Sequence, residues 1–486
     1  MSFVDIRFLI FFPVVVILHF LLPERFRWVW LLVASYGFYM AWRPEYALLL
    51  AVITVIDFTA GIAMSRSDDT QLRKIALITS LTANLGILFF FKYFNFFFAS
   101  ISAGLAAVGT TTSIPVLDII LPIGISFHIF QSVSYTIDVY KKTAAPVTHL
   151  GKFALYVSFF PQLVAGPIER PNGLLVQFFE KRRFDTTRAS EGAKLMLLGY
   201  FKKLVIADNI GPLVSAVYAT PHIYPGPSLI IATLLFAYQL YCDFSGYTDI
   251  ARGSAKILGY DLAENFKQPY ASTSVAEFWR KWHISLSSWL RDYLYTPLAL
   301  SGKRHSAFHT YASLIVTFVL IGLWHGANWT YVTMGALHGI YLVSGSITSK
   351  WPTRKAVTLP RSFKVVVVFL LVSFSWIFFR ASSMSDALFI ASHLLSRTGE
   401  FFSAILHGDG FTTYVLMGTS LSSFLIALVS IVTLEVVEAQ YRKGINVAST
   451  VANGRTARLL LYGCIATFIL LFGTFSGAEQ FIYFQF

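Results

Sequence analysis

The sequence predicts an all-α protein that crosses a lipid bilayer many times. Of its 486 residues, 56% are hydrophobic and only 13% are charged, whereas a soluble domain carries about 25% charged residues. Apolar stretches long enough to span a hydrocarbon core of roughly 30 Å recur along the whole chain. We therefore expect about 10–13 transmembrane or re-entrant helices in a single membrane domain, residues 1–486.

The candidate spans are spread from one end of the chain to the other. In chain order they start near Phe8, Trp28, Tyr46, Ile75, Leu117, Ala154, Leu195, Leu229, Ala312, Tyr331, Val365, Tyr414 and Leu459. Pro and Gly interrupt LPIGISF (121–127) and FFPQLVAGPIERP (159–171). A broken backbone at membrane depth is tolerated only where protein or a water-filled cavity satisfies the freed polar groups. The sequence therefore predicts an internal cavity.

Charge distribution predicts the orientation in the membrane. The net charge is +13, but the basic residues lie in short loops between spans, so they indicate topology and not nucleic-acid binding. The loops 65–74, 301–305, 349–355 and 441–458 are basic and are expected to face the cytoplasm. Counting spans from these loops places the C-terminal tail, SGAEQFIYFQF (476–486), on the outer face.

The longest polar interruption covers residues 261–304. It contains EFWRKWHISLSSWLRDYLYTP (277–297), in which aromatic residues lie among basic and acidic ones. Such a mixture is typical of a helix at the cytoplasmic interface, with aromatic rings at headgroup level. We interpret 261–304 as an interfacial or re-entrant segment. A simple interfacial anchor explains the aromatic and basic residues, but it explains His283 and Asp292 less well.

His325 follows the apolar run SLIVTFVLIGLW. About seventeen residues at 1.5 Å each, roughly 25 Å, separate it from the basic loop 301–305, so it is expected deep in the membrane. An ionisable group at that depth is a functional hypothesis by default; the alternative is a hydrogen-bonded core histidine. His305 and His309 have helical metal-pair spacing but lack a third ligand, so no metal site is expected.

Several segments carry a resemblance to a known family. They are LPIGISFHIFQSVSYTIDVYK (121–141), FFPQLVAGPIERP (159–171), YQLYCDFSGYTDIARGSAKILG (238–259), EFWRKWHISLSSWLRDYLYTPL (277–298) and GLWHGANWTYVTMGALHG (322–339). Together they resemble the membrane-bound O-acyltransferase family, most closely its bacterial alginate O-acetyltransferases. The paired WHxS and WHG motifs are specific. The resemblance implies a ring of helices around a central tunnel.

The resemblance also implies which residues carry the chemistry. The family's catalytic histidine falls on His325 and its second active-site polar residue on His283. A neutral imidazole can accept a proton from an attacking hydroxyl at physiological pH. His283 could position the thioester, donate to the tetrahedral intermediate or assist the leaving thiol.

Five further residues are candidates for donor binding or for the tunnel lining. They are Trp282, Trp324, Asn328, Arg291 and Asp292. Arg291 and Asp292 are placed at the cytoplasmic mouth, where a basic residue suits the phosphates of coenzyme A. An interfacial ion pair is the alternative for these two.

Tyr483 stands among phenylalanines at the end of the chain. The ending resembles an acyl-accepting tyrosine motif, which implies that Tyr483 relays the acyl group. An aromatic membrane-interface anchor is the alternative.

The expected function is transfer of acetyl from acetyl-CoA across a bacterial inner membrane for O-acetylation of an exported polysaccharide. Alginate is the favoured polymer; cellulose, another exopolysaccharide and peptidoglycan are alternatives. Periplasmic acetyltransferases and exopolysaccharide machinery are the expected partners, with no bound cofactor. Two other classes stay open: a transporter of an acyl carrier, and a scaffold of a secretion complex.

Overall fold

The computed structural model describes residues 1–110, 115–301, 306–349, 359–408, 410–445, 447, 450, 452, 454–475 and 481–482. These residues form helices and connecting loops, and no β-strand occurs among them. The chain divides into two compact units. The first comprises Met1–Met196 and Ile250–Glu264, and the second Leu197–Asp249 and Asn265–Phe486. The assignment of one membrane domain, 1–486, stays a prediction.

The first unit is built from helices that precede residue 200. They are α1 (Ile6–Leu21), α2 (Glu24–Met40), α3 (Tyr46–Ser65), α4 (Thr70–Leu88), α5 (Phe94–Ala107), α6 (Ile125–Tyr140), α7 (Leu150–Ser158), α8 (Phe160–Leu163) and α9 (Thr186–Tyr200). The last four residues of α9 belong to the second unit, and Ile250–Glu264, which includes the end of a later helix, completes the first.

The second unit contains most of the remaining helices. They are α10 (Asp208–Ala219), α11 (Gly226–Ile257), α12 (Val275–Lys281), α13 (Ile284–Leu290), α14 (Thr296–Leu300), α15 (Ala307–His325), α16 (Trp329–Ser349), α17 (Arg361–Arg380), α18 (Met384–His393), α19 (Thr398–Leu406), α20 (Leu421–Arg442) and α21 (Arg455–Phe472). A π-helical turn, Phe201–Ala207, leads into α10.

Helix length and composition confirm a polytopic membrane protein. Within the described part of the chain, six helical segments are long and apolar enough to cross a bilayer: α3, the continuous segment Thr70–Ala107, α11, α15, α17 and α20. Two shorter apolar helices, Ile6–Leu21 and Thr456–Phe472, lie near the ends of the chain. The all-α fold class is therefore confirmed. The count of 10–13 helices, the ring and the tunnel stay predictions.

The predicted helix break at 159–171 is present in the first unit. Helix α7 ends at Ser158, α8 lasts only four residues, and residues 164–170 are not helical although 164–169 are buried. Side chains satisfy the freed carbonyls: a His128 ring nitrogen lies 2.6 Å from the Leu163 oxygen, and the Tyr156 hydroxyl donates to the Glu169 oxygen at 2.9 Å. Protein groups can therefore support this broken backbone in the way a bilayer requires.

Helices α15 and α16 of the second unit form a hairpin in near backbone contact. A Cβ built on Gly322 would lie 2.1 Å from the Tyr331 carbonyl oxygen, and one built on Gly335 would lie 2.2 Å from that of Phe318. Small residues allow membrane helices to approach in this way. The two glycines thus fix the position of His325, the last residue of α15.

We expect Gly322→Ala to destabilise the protein by about 1–3 kcal/mol, because the added methyl group would collide with backbone that no rotamer change can move. Thermal unfolding of the purified protein in detergent measures the effect. Gly345→Ala on α16 is the matched control, since nothing lies within 4 Å of a Cβ there. Equal melting temperatures for the two variants would contradict the close approach.

Candidate active site

The segment that carries His283 begins with a capped helix, α12. The Ser274 hydroxyl accepts a hydrogen bond from the Glu277 amide at 3.1 Å, as expected of Ser and Glu three residues apart at a helix start. Burial raises the pKa of Glu277, but hydrogen bonds from the Lys281 ammonium and from Thr273 outweigh it and lower the pKa to about 2. The carboxylate stays ionised and holds Lys281 at 2.6 Å.

His283 lies at the junction between α12 and α13 with its side chain fully buried. Its backbone is left-handed, with φ +43° and ψ +55°, a conformation that costs a residue with a Cβ about 1–2 kcal/mol. Asn265 stabilises the junction by accepting the Ile284 amide at 3.0 Å and the Ser285 amide at 3.2 Å. Strain of this kind tends to persist where a side chain must be aimed.

His325 is brought to the same place by α15. Its side chain is 3% exposed. The ring of Trp324 lies 5.0 Å from the His325 ring and 5.8 Å from the His283 ring. Phe379 of α17 also packs against His325, with ring centroids 5.3 Å apart. Two histidines from distant parts of the sequence therefore meet around one indole, in a buried and largely aromatic environment.

Trp282, the residue before His283, belongs to a buried aromatic cluster. Its ring stacks on Phe278 at 5.4 Å and lies 5.3 Å from Trp376. The nearby Trp279 indole donates to His338 Nδ1 at 3.2 Å. Trp279, Trp282 and Trp289 are 5%, 0% and 7% exposed. These three tryptophans pack on other protein rings, and the expectation of rings at headgroup level stays a prediction.

The remaining predicted residues have more peripheral positions. The Arg291 guanidinium pairs with Asp292 at 2.8 Å, and both side chains are well exposed. The Asn328 side chain accepts the Thr330 amide at 3.0 Å and so caps the start of α16. Roles for these three in donor binding stay predictions. Tyr483 and His305 lie outside the described residues.

Two residues of the C-terminal tail are described, and both are buried in the second unit. Phe481 and Ile482 are 3% and 5% exposed. The Phe481 ring stacks on Tyr247 of α11 with centroids 4.5 Å apart. Phe244, one turn earlier on α11, lies 5.9 Å from Phe481 and 4.7 Å from His283. One phenylalanine ring thus connects the tail with the histidine pair.

A buried ionic group, which no sequence motif indicated, adjoins the tail. The Lys203 ammonium lies 2.7 Å from Asp208 Oδ1 and 2.7 Å from Asp243 Oδ1. All three side chains are at most 4% exposed. The sequence feature that could have indicated this group is Asp243, a carboxylate inside the apolar helix α11. Ionisable groups are rare in membrane spans and usually have a function there.

The fold and these contacts define a polytopic membrane protein with a buried pair of histidines. Residues 141–384 match the family described as MBOAT, membrane-bound O-acyltransferase family. The chain belongs to the membrane-bound O-acyltransferase family, and it is an O-acyltransferase. The resemblance seen in the sequence motifs is confirmed.

Similar proteins give the range of activities among the relatives. The probable alginate O-acetylase AlgI of Azotobacter vinelandii is 40% identical over 78% of this chain and 74% of that protein. The peptidoglycan O-acetyltransferase of Helicobacter pylori is 32% identical over 76% of this chain and 74% of that protein. The teichoic acid D-alanyltransferase of Streptococcus thermophilus is 29% identical over 48% of this chain and 58% of that protein.

Proposed function

We propose that this O-acyltransferase takes acetyl from acetyl-CoA at the cytoplasmic face of a bacterial inner membrane and passes it outward for O-acetylation of an exported polysaccharide. The observation that carries the proposal is the meeting of His283 and His325 around Trp324, inside a protein of membrane-spanning helices. The alginate O-acetylase relatives make alginate the favoured polymer. The peptidoglycan O-acetyltransferase relative makes peptidoglycan the second candidate.

The proposed first step is acyl transfer to Tyr483. The tyrosine oxygen attacks the thioester carbonyl carbon while His325 accepts the phenolic proton. The tetrahedral intermediate then collapses, the carbon–sulfur bond breaks, and the departing sulfur receives that proton from the His325 imidazolium. His283 is suited to donate a hydrogen bond to the oxyanion. The products are free coenzyme A and an acetyl ester on Tyr483, with no net proton change.

In the second step a periplasmic acetyltransferase partner accepts the acetyl group. Its nucleophilic hydroxyl attacks the tyrosyl ester, which restores the Tyr483 hydroxyl and leaves the acetyl group on the partner. In this scheme the membrane protein cleaves the thioester, and the partner recognises the polymer. The choice of polymer therefore depends on the partner that is present.

Tyr483→Phe tests the relay. We expect this variant to lose acetyl label on the protein and O-acetylation of the polymer, because the aromatic ring remains while the acceptor oxygen is gone. Protein reconstituted in liposomes with radiolabelled acetyl-CoA, followed by peptide mass spectrometry, gives the first readout. Ester content of alginate and of peptidoglycan from the producing cells gives the second.

Tyr441→Phe is the matched control, since Tyr441 is exposed at the end of α20 and its loss removes one phenolic hydroxyl elsewhere. Normal polymer acetylation in Tyr483→Phe would dispose of the relay. Uptake of intact thioester without thiol release in the parent protein would favour a transporter instead.

A further inference from the structure

The described part of the C-terminal tail occupies a specific binding place on α11, which we call the tail slot. The slot is formed by Asp243, Phe244 and Tyr247. The backbone amide of Ile482 donates to Asp243 Oδ2 at 2.8 Å. Phe481 lies over Tyr247 with an interplanar angle of 23°. The contacts of the two described tail residues thus include a main-chain hydrogen bond to Asp243 and ring packing on Tyr247 and Phe244.

The charge at the slot suits a main-chain donor. Asp243 and Asp208 share one ammonium group, that of Lys203, so the trio carries one net negative charge. A carboxylate that accepts from a backbone amide makes a charge-assisted hydrogen bond, roughly twice as strong as a neutral one. Burial of Ile482 at 5% exposure and Asp243 at 1% limits competition from solvent. The buried carboxylate is therefore a suitable acceptor for the tail backbone.

The slot also lies next to His283, one of the two candidate catalytic histidines. Phe244, the residue after Asp243 on α11, lies with its ring centroid 4.7 Å from that of His283. Tyr483 follows Ile482 directly in the chain, and consecutive Cα atoms are about 3.8 Å apart. Seating Ile482 therefore fixes the point from which the chain continues to Tyr483. Such restriction is how positioning groups raise effective concentration.

We propose that Asp243, oriented by Lys203, is a positioning residue that seats the C-terminal segment of this chain in the tail slot and so presents Tyr483 to His283 and His325. The part concerning Tyr483 rests on the proposed acyl relay. The seating of Phe481 and Ile482 does not. The two parts therefore call for separate readouts.

Ile482→Pro is the sharpest variant, because proline lacks the amide hydrogen that Asp243 accepts and leaves the ionic trio unchanged. Ile482→Val retains that hydrogen and is the matched control. Hydrogen–deuterium exchange of the C-terminal peptide in detergent reports the seating. We expect a protected tail in the parent and in Ile482→Val, and at least about tenfold faster exchange of the remaining tail amides in Ile482→Pro.

Acetyl transfer by the same proteins is measured with two acceptors, Tyr483 and an external phenol. Single-turnover acetylation of Tyr483 should fall at least about tenfold in Ile482→Pro, since a hydrogen bond to a charged group is worth that factor. Cleavage of acetyl-CoA with p-cresol as an external acceptor should stay unchanged, because it does not use the tail. Phe481→Ala, which removes the stacked ring, should reproduce both results.

The outcomes separate the slot from the relay. A parent tail that exchanges as fast as that of Ile482→Pro overturns the slot. Unchanged Tyr483 acetylation in both tail variants, or a parallel fall in p-cresol acetylation, overturns positioning. If the parent never acetylates Tyr483 although its tail is protected, the relay fails and the seating stands.

Discussion

Replacing His325 with glutamine is expected to slow coenzyme A release roughly 10²- to 10⁴-fold, the usual contribution of general-base catalysis. Glutamine keeps a polar amide at similar reach but cannot exchange a proton near neutral pH. The side chain is 3% exposed and lies between Trp324 and Phe379, so bulk water is poorly placed to substitute as the base. Thiol appearance from acetyl-CoA in reconstituted liposomes gives the rate.

His407→Gln is the matched control, since His407 is an exposed histidine of the same unit. It should release coenzyme A at the parent rate. Chromatographic elution and melting temperature should be the same for all three proteins. A His325→Gln variant that retains activity within about threefold would remove the general-base role. Retained polymer acetylation by an assembled but catalytically inert protein would favour a scaffold.

Replacing Lys203 with methionine is expected to cost about 3–5 kcal/mol of stability, the usual effect of breaking a buried ion pair by removing one partner. Methionine has a similar length but no charge, so Asp208 and Asp243 would face each other without the ammonium that lies 2.7 Å from each. Two like charges left in a buried site without their counter-ion repel strongly. Yield from membranes and thermal unfolding in detergent measure the loss.

Lys443→Met serves as the control, because Lys443 is exposed just after α20. This variant should melt with the parent. Adding Asp208→Asn to Lys203→Met should recover part of the lost stability by removing one of the two carboxylates. Parent-like melting of Lys203→Met alone would show that the trio does not stabilise the second unit.

The fold class and the two candidate histidines could be predicted from the sequence. Composition alone identifies a membrane protein, because its apolar segments are longer and more numerous than those of a soluble domain. Pro and Gly within 159–171 identify a helix break, because backbone geometry is a local property. His325 stands out because an ionisable side chain at the end of an apolar helix is rare. His283 could be predicted as a second active-site residue because the WHxS motif that contains it resembles the family's motif.

Tertiary structure alone decided which of these residues meet. An apolar sequence pattern does not distinguish a face turned to lipid from one packed on protein, so the burial of Trp279, Trp282 and Trp289 could not be predicted from 277–297. The contacts of Trp324 with both histidines, of Lys203 with Asp208 and Asp243, and of Ile482 with Asp243 join segments far apart in the chain. Such pairings depend on how the helices pack. Packing brings together residues that are far apart in the chain, and the local sequence around each residue does not specify it.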